Sequence, residues 1–256
     1  MSLENKTVLI TGGNGGIGVH LAAGLLAAGA RVCVADRSEA GLVEGAEFVE
    51  VDLSVPDSVY ALGRRLAASS PDVLVNLAGL NAFGSFESMS RGALQALMQV
   101  NLLAPMQLIH SLLPVMISRG SGQLVNVGSV VGHIGLPYFS AYAASKAGIE
   151  NFSESLRREL AGRGVSITYI APRAVRTRMN EGAIDKFNRL SGAREDAPER
   201  VAGIMIDAIR RRRPRVTIGY PEKLFVKINA LIPSLVDRNL IRNRRLAEDV
   251  LAAHSS

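Results

Sequence analysis

A tyrosine and a lysine four positions apart carry the clearest chemical signal in this chain. Tyr142 and Lys146 lie in an Ala-rich segment that predicts a helix, so their side chains share one face about one turn apart. A free phenol keeps its proton until pH ~10, and a neighbouring ammonium favours the phenolate. Ser129, at the end of an apolar run, offers a hydroxyl that can donate to a carbonyl or alkoxide oxygen. The three residues predict a site that moves a proton on or off a substrate oxygen, although Tyr-x-x-x-Lys alone also fits an ordinary amphipathic helix.

A glycine-rich turn near the N-terminus predicts what such a site would work on. Residues 6–11 have the pattern of a strand, residues 12–18 include five glycines, and an apolar segment with helical periodicity follows. A strand, a glycine turn and a helix bring backbone N–H groups and the positive end of the helix against a pyrophosphate. Glycine allows the backbone to approach that closely. Taken alone, the cluster is equally compatible with a flexible turn.

The two signals together resemble one enzyme family. Thr-Gly-x-x-x-Gly-x-Gly at residues 11–18, combined with Ser129, Tyr142 and Lys146, is similar to the short-chain dehydrogenase/reductase family over about residues 5–220. The resemblance implies an α/β, doubly wound (Rossmann-like) seven-stranded parallel sheet in the order 3-2-1-4-5-6-7, with helices on both faces. It also implies hydride transfer between a nicotinamide and a secondary alcohol or ketone.

The family pattern also implies a role for each catalytic residue. Tyr142 would be the general acid/base, and Lys146 would lower the Tyr142 pKa and bind the nicotinamide ribose. Ser129 would steady the substrate oxygen. Asn101, in a predicted helix over residues 88–118, matches the asparagine whose backbone carbonyl helps to hold a water that connects the lysine to solvent in relatives.

The predicted cofactor contacts gather at the carboxyl ends of the strands, where parallel α/β sheets bind their ligands. They are Thr11, Gly12, Asn14, Gly15, Gly16, Ile17, Gly18, Asp36, Arg37, Asp52, Leu53, Asn76, Ala78, Gly79, Tyr142, Lys146, Pro172, Val175 and Thr177.

The end of the predicted second strand bears on which cofactor is used. Asp36 can accept hydrogen bonds from the ribose hydroxyls of the adenosine half, and its charge repels a 2′-phosphate. This favours NAD over NADP. Arg37 offsets part of the repulsion, so NADP stays possible. Asp36 is also compatible with a plain turn residue.

The chain departs from the family pattern after the sixth predicted strand. Arg173 stands where relatives usually have glycine, within Pro172-Arg-Ala-Val-Arg-Thr177, and Leu77 replaces the more usual asparagine of the fourth turn. Arg173, Arg176 and Arg178 are candidates for contact with cofactor phosphates or an acidic substrate, and ordinary solvated charge explains them equally well. Residues 180–198 are polar, and we expect an irregular, mobile lid there.

Composition limits the other possibilities. With 256 residues and 48% hydrophobic content, we expect a single domain over residues 1–256, with the core at about 5–220 and a helical tail at about 221–256. No run of ~18 uninterrupted apolar residues or signal-peptide pattern is found, which favours the cytoplasm. The net charge is −4 over residues 1–156 (8 Lys/Arg against 12 Asp/Glu) and +10 over residues 157–256 (21 against 11). No DNA-reading motif or metal-ligand spacing accompanies this charge, so we expect neither nucleic acid nor metal binding.

The tail has two interpretations. Residues 221–236 predict an amphipathic helix broken near Pro233, with apolar residues at three- and four-residue steps and basic residues beside them. Such a helix suits either an anionic membrane surface or, as we favour, packing over the substrate pocket or a second subunit. The apolar residues are Leu224, Phe225, Ile228, Leu231, Ile232, Leu235 and Val236, and the basic ones are Lys223, Lys227, Arg238, Arg242, Arg244 and Arg245.

The substrate and the oligomeric state are the properties that the sequence determines least. Val130, Ile134, Leu136 and Phe139 predict an apolar pocket wall for a lipophilic substrate, and His133 is expected on the pocket rim. Family resemblance implies a homodimer through the helices that contain Asn101 and Lys146, with the tail hindering a tetramer. The alternatives are an NADPH-dependent carbonyl or 3-oxoacyl reductase and, from another class, a nucleotide-sensing or scaffold protein without turnover.

Overall fold

A seven-stranded parallel sheet organises the chain. The computed structural model describes residues 2–220 and 222–254, apart from the side chains of residues 223, 235, 238 and 239. The strand order β3-β2-β1-β4-β5-β6-β7 is the predicted one, and every pairing is parallel. The strands are β1 (Thr7–Thr11), β2 (Arg31–Asp36), β3 (Glu47–Glu50), β4 (Val73–Asn76), β5 (Gly122–Val127), β6 (Val165–Ala171) and β7 (Arg215–Thr217).

Helices cover both faces of this sheet, which confirms the doubly wound fold. Helices α1 and α7 bury Leu21 and Met205 against one face, whereas α2, α4 and α5 bury Leu62, Leu112 and Leu156 against the other. Strands β4 and β5 are buried along their whole length, as expected for strands covered twice. The helices are α1 (Gly16–Ala27), α2 (Pro56–Ala68), α3 (Arg91–Met98), α4 (Ala104–Arg119), α5 (Ser140–Glu159), α6 (Ala183–Ser191), α7 (Pro198–Arg210), α8 (Glu222–Leu231) and α9 (Pro233–Ala252).

The long helix predicted over residues 88–118 is present with one interruption. Ser90 caps α3 by accepting a hydrogen bond from the Ala93 N–H (3.1 Å), which fixes the true start. Between α3 and α4, residues Gln99–Leu103 form a π turn that contains Asn101. Such π turns occur frequently at functional sites. The 29 residues from Arg91 to Arg119 are long and apolar enough to cross a membrane, but many of their apolar side chains, including Leu108 and Leu112, pack in the core, whereas Leu103 is exposed.

The expectation of an irregular segment at residues 180–198 is wrong in part. Residues Ala183–Ser191 form α6, which ends at Gly192 with a positive φ of 72°. Phe187 buries its ring beneath this helix against Phe139. The polar composition concealed the helix because only one narrow face carries apolar side chains.

The tail forms two helices, and the predicted break near Pro233 is confirmed. Helix α9 begins at Pro233 and continues to Ala252, well past the predicted end at Val236. Helix α9 packs on the core at two points: Val236 contacts the group around Val130 and Ile134, and Ala247 contacts the group around Phe139. Of the predicted tail residues, Pro221 and the side chains of Lys223, Leu235 and Arg238 lie outside the described residues. The division into a core and a tail within one domain stays a prediction.

Candidate active site

A cleft of about 930 Å³ opens at the carboxyl ends of the strands. Its wall includes the glycine turn, the ends of β2 and β4, and the start of the loop that follows β6. Sheet order reverses between β1 and β4, and the crevice at such a switch point is the usual ligand site of an open α/β sheet. Of the predicted site residues, the cleft brings together Gly12, Asn14, Gly15, Gly16, Ile17, Gly18, Asp36, Arg37, Asp52, Leu53, Ala78, Gly79, Ser129, Tyr142, Lys146, Pro172, Val175 and Thr177.

The glycine turn has no room for side chains. Gly12 has a φ of 71°, and a Cβ there would lie 2.7 Å from the Ala78 Cα. A Cβ on Gly18 would lie 2.5 Å from the Gly12 carbonyl oxygen, and one on Gly16 would lie 2.6 Å from the Thr177 methyl carbon. Helix α1 begins at Gly16, so its first N–H groups and positive end face the cleft. This is a cradle for a pyrophosphate.

Thr11 and Asn76 support this cradle from behind rather than line the cleft. The Thr11 hydroxyl accepts hydrogen bonds from the backbone N–H groups of Leu77 (3.2 Å) and Ala78 (3.3 Å). The Asn76 amide donates to the Asn126 side-chain oxygen at 2.8 Å. Both side chains are buried. They therefore fix the β4 turn that forms the floor.

The adenosine end of the cleft is acidic. Asp36 accepts hydrogen bonds from the backbone N–H groups of Asn14 (3.2 Å) and Arg37 (2.8 Å), which fix its carboxylate at the cleft wall. Asp52 accepts from the Ser54 hydroxyl at 2.6 Å and from the Ser54 N–H at 2.8 Å. These bonds lower the Asp52 pKa. Sequence reasoning missed Ser54, since a serine after Asp-Leu has no distinctive pattern.

The proposed acid/base residues meet at the inner end of the cleft. Tyr142 and Lys146 both project from α5, and the Lys146 Nζ lies 5.8 Å from the centroid of the Tyr142 ring. Lys146 also donates to the Val127 carbonyl at 3.2 Å. Ser129 follows β5, and its hydroxyl accepts the Val131 N–H at 3.2 Å, which holds it at the first turn of a 3-10 helix.

Burial controls the protonation of this pair. Desolvation raises the pKa of Tyr142, and the hydroxyl of Ser129 acts in the opposite direction. Desolvation also lowers the pKa of Lys146 to about 8. The net direction is therefore opposite to the predicted lowering of the Tyr142 pKa, because burial raises this pKa more than the hydrogen bond with Ser129 lowers it. A lysine with a pKa of about 8 can itself exchange protons near neutral pH.

Asn101 is a structural clamp beside this pair. Its side chain accepts the Leu80 N–H (2.7 Å) and donates to the Leu80 carbonyl (2.9 Å) and to the Ser145 hydroxyl (3.0 Å). It thereby joins the loop after β4 to helix α5. A Cβ on Gly79 would lie 3.3 Å from both the Asn101 side-chain oxygen and the Lys146 Nζ, so the loop runs close to the lysine. Asn101 itself is buried and does not line the cleft.

Arg173 is neither a solvated charge nor a free phosphate ligand. Its guanidinium makes two hydrogen bonds of 2.9 Å to Asp196 and donates to both carboxylate oxygens of Glu222 at 3.2 Å. The Asp196 side chain is 2% exposed and also accepts from Arg200 at 2.9 Å. The hydrogen bonds to Asp196 raise the pKa of Arg173. The residue that replaces the family's glycine thus joins β6, the segment after α6 and the start of α8.

One wall of the substrate side of the cleft is apolar. Val130, Leu136 and Phe139 line it as predicted, whereas Ile134 packs against the tail instead. Behind them, the Phe83 ring lies 4.9 Å from the Phe139 ring and 5.1 Å from the Phe187 ring. Sequence reasoning missed Phe83, Phe187, Met179 and Ile184, because these residues come from loops and α6 and share no periodic pattern.

The prediction that His133 lies on the pocket rim is wrong. Its side chain is buried away from the cleft, with Nδ1 at 2.5 Å from Glu150. Glu150 in turn lies 2.5 Å from Arg215, and the His133 ring packs edge-on to Tyr169. The turn after Ser129 directs this residue inward toward α5.

Comparison with known proteins agrees with this geometry. A family model described as short chain dehydrogenase matches residues 6–187. The ketoacyl reductase HetN from Nostoc sp. is 32% identical over 256 residues, covering 93% of this chain and 88% of its own length. The 3-oxoacyl-(acyl-carrier-protein) reductase FabG from Vibrio cholerae is 32% identical over 195 residues, covering 73% and 80%. A crystal structure of a short-chain dehydrogenase from Streptomyces avermitilis matches with a TM-score of 0.79 and 26% identity, covering 93% of this chain and 98% of that one.

The chain therefore belongs to the short-chain dehydrogenase/reductase family. Its activity is NAD(P)-dependent oxidoreduction between a carbonyl and an alcohol group.

Proposed function

We propose that the protein oxidises or reduces a lipophilic secondary alcohol or ketone, with Tyr142 as the general acid/base. The observation that carries this proposal is that Ser129, Tyr142 and Lys146 line the same cleft as the glycine cradle. The glycine turn fits a dinucleotide because Gly12, Gly16 and Gly18 carry no side chain. A pyrophosphate can therefore approach the backbone of the turn closely. When bound, the nicotinamide accepts or supplies the hydride.

The chain's own residues would handle the proton. In oxidation, the Tyr142 phenolate, a minor form because burial raises the Tyr142 pKa, takes the proton of the substrate hydroxyl while Ser129 donates a hydrogen bond to the same oxygen. In reduction, the Tyr142 phenol returns the proton. Lys146, whose pKa is about 8, resupplies or removes the proton at Tyr142, and Asn101 holds the neighbouring loop in place.

Asp36 supports a preference for NAD. Its carboxylate faces the cleft, fixed by two backbone N–H groups, and a 2′-phosphate would be placed against that negative charge. Calorimetric titration of the protein should give tighter binding of NAD than of NADP. Tighter binding of NADP would contradict the preference.

A second candidate is an NADPH-dependent 3-oxoacyl reductase. Arg37 also lines the cleft beside Asp36, where its guanidinium can meet a 2′-phosphate. The names of HetN and FabG describe ketoacyl reduction, which supports the same candidate.

A substrate panel tests the function most broadly. Secondary alcohols, ketones and 3-oxoacyl thioesters of increasing chain length are assayed with both cofactors by nicotinamide absorbance. We expect turnover that improves with apolar chain length, because Val130, Leu136, Phe139 and Ile184 line the substrate side. Tight cofactor binding without turnover on any compound would instead favour a nucleotide-sensing protein.

We also propose a homodimer through α3, α4 and α5. A shallow apolar groove lies on the outer surface between α3 and α5, and it is lined by Phe86, Leu94, Met98, Ser140, Ala141 and Ala144. A second copy would cover these side chains. Light scattering should give a dimer, and a clean tetramer would contradict this assignment. The cytoplasmic location stays a prediction.

A further inference from the structure

The outer face of the C-terminal tail exposes large apolar side chains that the fold does not use. Tyr220 is 72% exposed and Leu231 is 81% exposed, and Leu224, Phe225 and Ile232 are also exposed. We call these five residues the tail ridge. The same helix is already docked through Val226 and Ile228, which are half-buried and pack with Val130 and Ile134. Packing within the chain therefore explains these two residues and leaves the tail ridge without a function.

The ridge is continuous along α8. Leu224, Lys227 and Leu231 are three and four positions apart, so they share one helix face. Ile232 follows at the corner before α9, and Phe225 flanks the row. Leu224 and Leu231 thus present neighbouring apolar side chains with an ammonium between them. A lysine at such a position can bury its alkyl chain while its charge stays at a polar boundary.

The charges around the ridge are mainly positive. Lys227 on α8 and Arg242 and Arg245 on α9 are exposed. Of the acidic residues of α8 and α9, Glu222 holds Arg173 and Glu248 pairs with Arg244 at 3.5 Å, whereas Asp237 and Asp249 are exposed. A second copy placed face to face on the ridge would oppose like charges. Phosphate headgroups of a bilayer would instead be neutralised by them.

We propose that the tail ridge docks on an anionic bilayer surface, with Leu224, Phe225, Leu231 and Ile232 entering the headgroup boundary and Lys227, Arg242 and Arg245 binding lipid phosphates. An apolar face bordered by cations is the pattern of a helix that lies in the membrane interface.

The position of the ridge also connects the surface to the cleft. Glu222 lines the cleft and is held by Arg173 at 3.2 Å, and the ridge continues two residues later at Leu224. A lipophilic substrate dissolved in the bilayer would then reach the cleft beside the docking surface. This consequence rests on the proposed function, whereas the docking itself does not.

Vesicle flotation with the full chain tests the docking. Vesicles of phosphatidylcholine alone are compared with vesicles containing about 30% phosphatidylglycerol, at low and high salt. We expect binding to the anionic vesicles that weakens with salt. The double variant Phe225→Ser/Leu231→Ser should reduce binding by at least about tenfold, since two apolar side chains no longer enter the boundary. Lys227→Glu should reduce binding to the anionic vesicles.

The matched control is Val55→Ser/Tyr60→Ser, which removes two exposed apolar side chains at the start of α2. It should bind vesicles like the unmodified protein, and thermal unfolding should show that all variants are folded. The proposal is overturned if the unmodified protein does not float with anionic vesicles, or if Phe225→Ser/Leu231→Ser floats equally well. It is also overturned if the unmodified protein does not bind vesicles and light scattering shows that Phe225→Ser/Leu231→Ser has lost a subunit contact. The tail ridge would then bind a second copy of the chain.

Discussion

The cofactor side and the substrate side of the cleft are held by different kinds of contact. On the cofactor side, the backbone sets the geometry: Gly12, Gly16 and Gly18 allow close approach, and main-chain N–H groups fix Asp36. On the substrate side, contacts between side chains that are distant in sequence set the geometry. For example, Arg173 binds both Asp196 and Glu222. A short motif can encode the first arrangement. The second depends on which distant residues meet.

The two buried cations show the same contrast. Lys146 donates to a backbone carbonyl, and burial lowers its pKa to about 8, so it can titrate during a reaction. Arg173 is held by two carboxylates that raise its pKa, so it keeps its charge. The first arrangement suits proton transfer, and the second suits the joining of structural elements.

The largest effect on cofactor binding should come from filling the glycine cradle. In Gly18→Ala, the new methyl group would lie 2.5 Å from the Gly12 carbonyl oxygen and 2.6 Å from the Gly13 Cα. The turn must shift, and we expect cofactor affinity to fall by about a hundredfold or more, as a displaced backbone no longer meets the pyrophosphate. Calorimetric titration measures this. The matched control is Gly203→Ala in α7, where no atom lies within 4 Å of the new Cβ, and it should bind cofactor normally.

Breaking the Arg173 contacts should destabilise the substrate side. Arg173→Met leaves Glu222 without this partner and reduces the compensation of the buried Asp196 charge. We expect a loss of about 3 kcal/mol in the free energy of unfolding, measured by urea denaturation. Arg173→Lys should recover only part of it, because an ammonium cannot make the paired bonds to Asp196. Arg176→Met changes an exposed arginine nearby and should cost little. Equal stability of the Arg173 and Arg176 variants would remove the contrast drawn above.

The pH dependence of stability should report the buried lysine. The pKa of Lys146 is lowered from 10.5 to about 8 in the folded protein, so between these values the unfolded chain binds more protons. The free energy of unfolding should therefore rise with pH across this window, by on the order of 2 kcal/mol from this group. The raised pKa of Tyr142 acts in the opposite direction only above its ordinary value of 10.

Lys146→Met tests that assignment, since it should flatten the rise between pH 8 and 10.5. Lys227→Met, which removes an exposed lysine, should keep it. An unchanged pH profile in the Lys146 variant would show that another group is responsible.

Changing Asp36 should have the smallest effect. In Asp36→Asn, the carboxylate charge at the adenosine end is lost while the side-chain shape remains. We expect NADP affinity to improve relative to NAD by about tenfold, because the repulsion of the 2′-phosphate is removed and Arg37 stays in the cleft wall. Competition titrations with both cofactors measure the ratio. A ratio unchanged from that of the unmodified protein would show that Asp36 does not read the ribose.

The features that sequence predicted best were those with a local physical cause. The parallel sheet and its strand order followed from the family resemblance that the glycine turn, Ser129, Tyr142 and Lys146 carry, and the cradle followed from glycines whose spacing suits one turn. Asp36 and Tyr142 were placed in the cleft by their positions after a strand and one turn before Lys146.

The features that sequence did not predict depend on contacts between distant segments. Helix α6 was missed because its buried face consists of Phe187 and a few neighbouring residues. These residues pack against Phe83 and Phe139, which are distant in sequence and come together only in the folded chain. His133 was placed on the rim because it lies between Ser129 and Tyr142, and its actual partner, Glu150, is one of three acidic residues along α5. The Tyr142 pKa depends on the balance of burial and hydrogen bonding with Ser129, which spacing alone does not determine.

Single-turnover hydride transfer by Tyr142→Phe, with a substrate from the panel and saturating cofactor, tests the central claim most directly. We expect normal cofactor affinity and a rate of hydride transfer reduced by a factor of about a thousand, because the proton loses its acceptor while the cradle is untouched. A Tyr142→Phe protein that transfers hydride as fast as the unmodified enzyme would contradict the account.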